Sequence, residues 1–462
     1  MSDISCSIQK NPLESDSIWK LIRKFAIPAT ISGLVNSLYN IVDQIFIGQS
    51  IGPLGNAATN VAFPLVIIMT ALSMMIGIGG ASQFSLKLGQ NDKEKAGRYI
   101  GNSIILAVIS GVFLAVIVLI FLHPLMIVFG ARGDVLTYSK QYTGITAIGI
   151  PFAVVSSALS QQIRADGSPR YAMFSILFGA ILNTVLDPLF IFTFDMGIQG
   201  AALATITGQI VSSAIILFYF RKFRSLKLTK AHFILRLSTV KDIASLGMAA
   251  CMNQLAVTVV QVVLNNSLGH YGEFSVYGRD IPLACVGIVS KVSSIFTSVM
   301  FGISQSCQPI MGFNYGTGNY KRVKEAYKCA ATIIVAIGTT AFLCFQLFPG
   351  QIIRIFGQGN ELYYQFGIRY FRIFLFFSFI NGIQILTSSF FSSIGRAMRG
   401  TVMSLSRQVF LFLPLVLLLP LWLGIDGILY AGPIADGVAA IIALTFYREE
   451  IKLFNKARTP SI

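Results

Sequence analysis

Asn183 and Asp187 stand four residues apart inside an otherwise apolar run, with Pro188 directly after. On a helix that spacing puts both side chains on one face, where they can share a proton or a cation. An Asp in hydrocarbon costs roughly 2.5–3.5 kcal/mol, so an intramembrane carboxylate marks a functional site by default. That face must look into protein or a water-filled cavity. Asp187 can alternatively cap a new half-helix at Pro188, since Asp-Pro suits a helix start. A second set, Asn36, Tyr39, Asn40 and Asp43, falls at i, i+3, i+4 and i+7, a polar stripe along one helix. Asp43 is then a second intramembrane carboxylate, or a solvated residue at the membrane edge. Thr205 and Gln209 add oxygens one turn apart on a later segment; alone they read as glue between helices. Burying a carboxylate favours its neutral form, and a second carboxylate nearby does so further. Two such groups beside amide and hydroxyl oxygens have the chemistry to bind and release H⁺ or Na⁺.

The elements that position these residues are membrane spans. The chain has 462 residues, 54% hydrophobic and 12% charged, with a mean hydropathy of +0.72. A soluble chain carries about 25% charged residues. Apolar stretches long enough to cross a bilayer recur throughout. The polar first residues lack a signal-peptide core, so insertion is expected from the first span itself. Twelve spans are predicted, including single spans over 18–47, 171–194, 364–390 and 401–423. Lys and Arg alternate between rich and poor loops. The net charge of +16 therefore reads as topology and not as nucleic-acid binding, and it places both termini in the cytoplasm. Six cysteines form no CxxC pair and three histidines are scattered, so neither disulfides nor a metal cluster is indicated.

The halves repeat. Gly77-Ile78 with Gln83 matches Gly302-Ile303 with Gln308, and Gly197–Gly200 matches Gly424–Gly427, about half the chain away. Such duplication marks transporter folds. The fold class expected is an all-α integral membrane protein of twelve transmembrane helices in two six-helix lobes, related by a pseudo-two-fold axis along the membrane normal. The divisions are a cytoplasmic segment 1–17, an N-lobe 18–220, a basic connector 221–241, a C-lobe 242–447 and a tail 448–462. The cavity is expected between the lobes, near the midplane.

The second half offers Asn253, Gln254, Asn381 and Gln384 in its seventh and tenth spans, but no acid there. Lys291 in the eighth span is read as almost the only deep basic residue. It either snorkels or faces the cavity to pair with a carboxylate. Asp436 lies deep in the twelfth. Pro28 bends the first span, as a hinge or simply for packing. Glycine clusters lack the Lys-Ser/Thr of a nucleotide loop and read as close helix packing. Uphill transport would then draw on an ion gradient.

Leu38-Tyr-Asn-Ile-Val-Asp43, Arg164-Ala-Asp-Gly-Ser-Pro169, Asn183-Thr-Val-Leu-Asp187-Pro188, Met196-Gly-Ile-Gln-Gly-Ala-Ala202 and Phe313-Asn-Tyr-Gly-Thr-Gly-Asn-Tyr320 together resemble the MATE (multidrug and toxic compound extrusion) transporters, in their bacterial MepA-like and DinF-related branch. The resemblance covers nearly the whole chain. It implies a non-enzymatic antiporter without cofactor in the bacterial inner membrane, exporting cationic drug-like compounds and conferring antibiotic resistance; the sequence leaves the oligomeric state open, with a monomer as the default. It also implies an N-lobe coupling site at positions matching Tyr39, Asp43, Asn183, Asp187 and Thr205. Branches with acidic cation ligands in the seventh and tenth helices are not matched here. A lipid-linked oligosaccharide flippase of the wider superfamily is the alternative, and a membrane receptor a more distant one; a flippase cavity is expected to carry several Arg or Lys for pyrophosphate.

Overall fold

The computed structural model describes residues 12–356 and 359–456, and among them every regular element is helical. We number the long spans α1 (Ile18–Ile51), α2 (Pro53–Gly89), α3 (Lys93–Ile120), α4 (Gly133–Ala165), α5 (Pro169–Pro188, continuing as a π-helical turn Leu189–Thr193) and α6 (Gly197–Tyr219). After the connector come α7 (Leu237–Glu273), α8 (Asp280–Gly316), α9 (Tyr320–Leu347) and α10 (Glu361–Phe374 with Ser378–Ser393). Then α11 (Ala397–Leu405, a π-helical stretch Ser406–Phe412, Leu413–Leu418 and Pro420–Leu423) leads into α12 (Ile425–Lys456). A helix of 28 residues is about 42 Å long, more than hydrocarbon requires.

The repeat is visible in how the helices begin and end. Asp92 accepts from Lys95 N at the start of α3, and Asn319, 227 positions later, accepts from Arg322 N at the start of α9. Each thereby satisfies an orphan amide of its helix. Gly167 and Gly395 end α4 and α10 at the same φ of +82°, a left-handed turn that only glycine adopts without strain. With an even number of spans, both described ends lie at one end of the bundle, called here the termini end.

One span differs from its sequence reading. The tenth is no single rod: its two segments meet at 48°. Between them the backbone tightens to i→i+3 bonds, Phe376 N to Ile373 O and Ser378 N to Leu375 O. That turn seats Phe374 over Gly432 and Phe377 against Gly437 of α12, where a Cβ would collide with or touch the rings. The fifth does not restart at Pro188; α5 runs through it into the π turn. α1 is unbroken across Pro28, whose carbonyl accepts from Ser32 Oγ at 2.8 Å.

The lobes exchange their first helices. The base of α1, Ile18, Leu21, Ile22 and Phe25, is buried in one core with Ile303, Cys307 and Ile310 of α8, Ile334 of α9 and Leu386 of α10. Gly302 lies so close to α1 that a Cβ there would stand 3.0 Å from Thr30 N. Reciprocally α7 leans on α2: a Cβ at Gly79 would stand 2.0 Å from Ile243 O, and one at Gly247 1.9 Å from Met75 O. Further along, Gly89 and Gly316 face each other across α2 and α8. The expected glycine packing is thus present, and its densest part joins the two lobes at the termini end. There Gln161 Nε2 of α4 also donates to Gln305 Oε1 of α8 at 2.7 Å, and Tyr99 of α3 donates to Asp242 of α7 at 2.6 Å.

The basic connector is strapped to the N-lobe and is not a free linker. Asn102 Nδ2 donates to His232 O and Ile234 O, while Asp166 accepts from Tyr219 Oη and from the amides of Arg224 and Ser225. Of the cysteines, Cys285 and Cys307 are buried, Cys251, Cys329 and Cys344 partly so, all as free thiols; Cys6 lies outside the described residues.

Candidate functional site

The polar centre of the N-lobe is assembled by α5, α6 and α1. Asn183 and Asp187 share one face of α5 as their spacing predicts, and both are buried, Asp187 completely. Asn183 Nδ2 donates to Asp187 Oδ1 at 3.3 Å and reaches Thr205 Oγ1 of α6 at 3.5 Å. α6 approaches this closely because Gly208 packs on the Gly179 carbonyl, where a Cβ would stand at 2.6 Å. Asp43 is 8% exposed and lies within electrostatic reach of Asp187, inside the lobe and not at a solvated edge.

Oxygens outnumber donors here. Asp43 Oδ1, Asp187 Oδ2 and Asn183 Oδ1 are each buried without a hydrogen-bond partner among the described residues. A buried acceptor left unsatisfied costs on the order of 1–3 kcal/mol, more if charged. Three such atoms, on the adjoining helices α1 and α5, are acceptors that a proton or a small hard cation can satisfy.

Tyr142 of α4 completes the site, and the sequence reading missed it. It lies in the electrostatic range of Asp43, Tyr39 and Asp187, beside Thr205. A single Tyr in an amphipathic helix carries no periodic signal, so only the tertiary fold reveals it. Beyond the carboxylates, away from the termini end, Ile47, Ile191 and Ala201 form a small apolar cluster with Phe46, Ile51 and Tyr142. Ile47, Ile191 and Ala201 lie four residues from Asp43, Asp187 and Thr205 respectively, one helical turn on each of three helices. The cluster is therefore a plug seated directly on the polar centre.

The remaining candidates disperse. Gln209 turns its Oε1 toward Gly149 of α4, where a Cβ would come within 2.5 Å. Asn36 is exposed, Tyr39 half-buried, and the side chain of Asn40 lies outside the described residues. Asn253 and Gln384 line a small cavity of about 40 Å³ with Ser304, Gln305 and Gln308, and Gln384 donates to the Met403 and Ser404 carbonyls of α11. Gln254 and Asn381 are partly buried on α7 and α10 without joining that wall.

The C-lobe needs a correction. Lys291 is not its sole deep base: Arg407, in the π-helical stretch of α11, binds Asp436 of α12 through Nε, and Asp436 is 3% exposed. The offset that carries Gly197 onto Gly424 carries Gln209 onto Asp436, so an amide in one lobe is half of an ion pair in the other. Arg407 sits between Ser406 and Gln408, and this polar triplet inside an apolar span was the overlooked signal. Lys291 itself has no ion pair recorded among the described residues, contrary to pairing with a carboxylate.

Comparison with known proteins agrees with this architecture. The MatE family model matches residues 28–189 and 249–418. The chain is 24% identical over 432 residues to "Multidrug export protein MepA" of Staphylococcus haemolyticus (strain JCSC1435), covering 93% of each. It superposes with a TM-score of 0.89 and 25% identity on a structure titled "Outward-facing conformation of a multidrug resistance MATE family transporter of the MOP superfamily", over 96% of this chain and 98% of that one. A structure titled "Crystal structure of MATE in the bent conformation" matches at TM-score 0.88 and 25% identity, over 95% and 96%. The family model repeats at nearly the same length in each half, the same duplication that the paired caps and glycines show, and the chain belongs to the MatE family of membrane transporters.

Proposed function

We propose that this protein is a secondary active multidrug antiporter, exporting cationic amphipathic compounds in exchange for H⁺ or Na⁺ by alternating access. The observation that supports it most is the set of buried oxygens of Asp43, Asp187 and Asn183 that have no hydrogen-bond partner among the described residues. A coupling ion held there neutralises the pair; a cationic drug nearby favours the bare carboxylates. Ion and drug therefore exclude each other, and mutual exclusion combined with rocking of the lobes is antiport. Thr205, Tyr142 and Tyr39 position the oxygens. The chain sits as a monomer in the bacterial cytoplasmic membrane with both termini inside, an orientation that the basic loops of the termini end support. A flippase is favoured less, because it needs several free bases and of the two deep C-lobe bases Arg407 is committed to Asp436, leaving Lys291 alone.

The test is transport in proteoliposomes with an imposed pH or Na⁺ gradient and ethidium as substrate. Asp187→Asn should abolish gradient-driven ethidium movement while the protein inserts and remains monodisperse. Wild-type rates in that variant would remove Asp187 from the coupling site, and a response to one gradient alone identifies the ion.

A further inference from the structure

We infer that Lys291 is a specificity-determining cation in the cleft between the lobes, and that it fits the transporter to substrates carrying an anionic group as well as a cationic one. The inference rests on the efflux reading above and narrows its substrate class.

Three observations place Lys291 in that cleft. First, it lies deep in α8, eleven residues from Asp280, about 16 Å along the axis. An intramembrane ammonium calls for a partner or a cavity. Second, it is exposed and has no ion pair recorded among the described residues. Third, its direction is fixed by the helix. Residues 291, 298 and 302 fall within about 20° of one line on a 3.6-residue helix. On that line Gly302 meets Thr30 and Ser298 meets Gly33, both in α1. The line therefore faces α1, whose far half carries Asp43 into the N-lobe site. The buried residues Cys285, Val289 and Val292 turn the other way, into the C-lobe core.

From the Gly33–Ser298 contact, Asp43 is ten residues along α1 and Lys291 seven along the antiparallel α8, about 15 Å and about 10 Å toward the same end. The ammonium and the carboxylate pocket thus lie at nearly one depth on opposite walls. A dication would be attracted by one wall and repelled by the other. A zwitterion places its amine toward Asp43 and Asp187 and its carboxylate on Lys291, and neutralises the charge that the cleft otherwise leaves bare.

The experiment compares wild type, Lys291→Met and Lys291→Arg in proteoliposomes with two probes, ethidium, a permanent monocation, and norfloxacin, an aromatic amino-acid-like zwitterion. Lys291→Met should cut norfloxacin transport about tenfold while ethidium transport is kept or rises, and Lys291→Arg should keep both. A norfloxacin-to-ethidium ratio unchanged in Lys291→Met, or an Arg variant behaving like Met, overturns the inference. A wild type that moves neither compound overturns the efflux reading, a different result from a wild type that moves both with an unchanged ratio in the variant.

Discussion

Among the buried acids, the Asp43–Asp187 pair of the N-lobe and Asp436 of the C-lobe are built on opposite principles. In the N-lobe, Asp43 and Asp187 each keep a buried oxygen without a hydrogen-bond partner among the described residues. In the C-lobe, Asp436 is neutralised by Arg407, and the guanidinium also lies 6.0 Å from the Phe412 ring centroid. The second arrangement has the properties of a structural pair. Removing one partner of a buried pair costs about 3–5 kcal/mol, whereas replacing both with apolar residues is often neutral. Arg407→Met and Asp436→Leu should each lower the melting temperature in detergent markedly, and the double variant should return close to wild type with transport intact. A double variant that is stable yet inactive would instead assign the pair to the transport cycle. At this scale the sequence was legible wherever a period exposed the residue. Asn183, Asp187, Thr205 and Asp43 declared themselves by polar groups at helical spacing in apolar surroundings. Tyr142 did not, because aromatic residues are ordinary in such helices and its role depends on α4 being laid beside α6.

At the scale of elements, α1 carries the most unusual load. Its base is buried among α8, α9 and α10, while Asp43, further along, belongs to the N-lobe pocket. Pro28 and Gly33 fall between the two anchorages. Any displacement of one lobe against the other is therefore felt within α1, and the contact of Gly33 with Ser298 is a fixed point of the present state. An ideal Cβ at Gly33 lies 4.0 Å from Ser298 Cβ, inside the span of a disulfide. With the native cysteines replaced, Gly33→Cys with Ser298→Cys should cross-link on mild oxidation and stop transport, and reduction should restore it. Continued transport by fully cross-linked protein would show that α1 and α8 move as one body. The number and order of spans followed from hydropathy and loop charge, but the break in α10 did not. It is produced by seating Phe374 and Phe377 on the bare backbone of α12, a pairing that no local pattern encodes.

The whole molecule is two copies of one plan, and the copies were readable from the matched glycines before any coordinates. Their manner of joining was not readable. A division at residue 17 or 18 gives α1 to the N-lobe, yet its base from Ile18 to Ala26 is C-lobe core, because the reciprocal lean of α1 on α8 and of α7 on α2 is a property of assembly and not of spacing.

That exchange has a consequence for biosynthesis. The residues that bury Ile18, Leu21 and Phe25 lie roughly 300 positions downstream, and at ~5–20 residues per second the ribosome needs roughly 15–60 s to deliver them. During that interval the inserted first half holds an apolar helix base with no permanent partner, and the translocation machinery or neighbouring lipid must shield it. Residues 1–228 made alone should accordingly be short-lived in the membrane. Co-expressed with 229–462, they should accumulate and copurify, as a pulse-chase of the two fragments would record. Equal half-lives with and without the second fragment would mean that the first half closes its own core. If the fragments do depend on each other, the quality of each molecule is decided only when its eighth helix arrives, and a defect anywhere in the second half reads out as loss of the first.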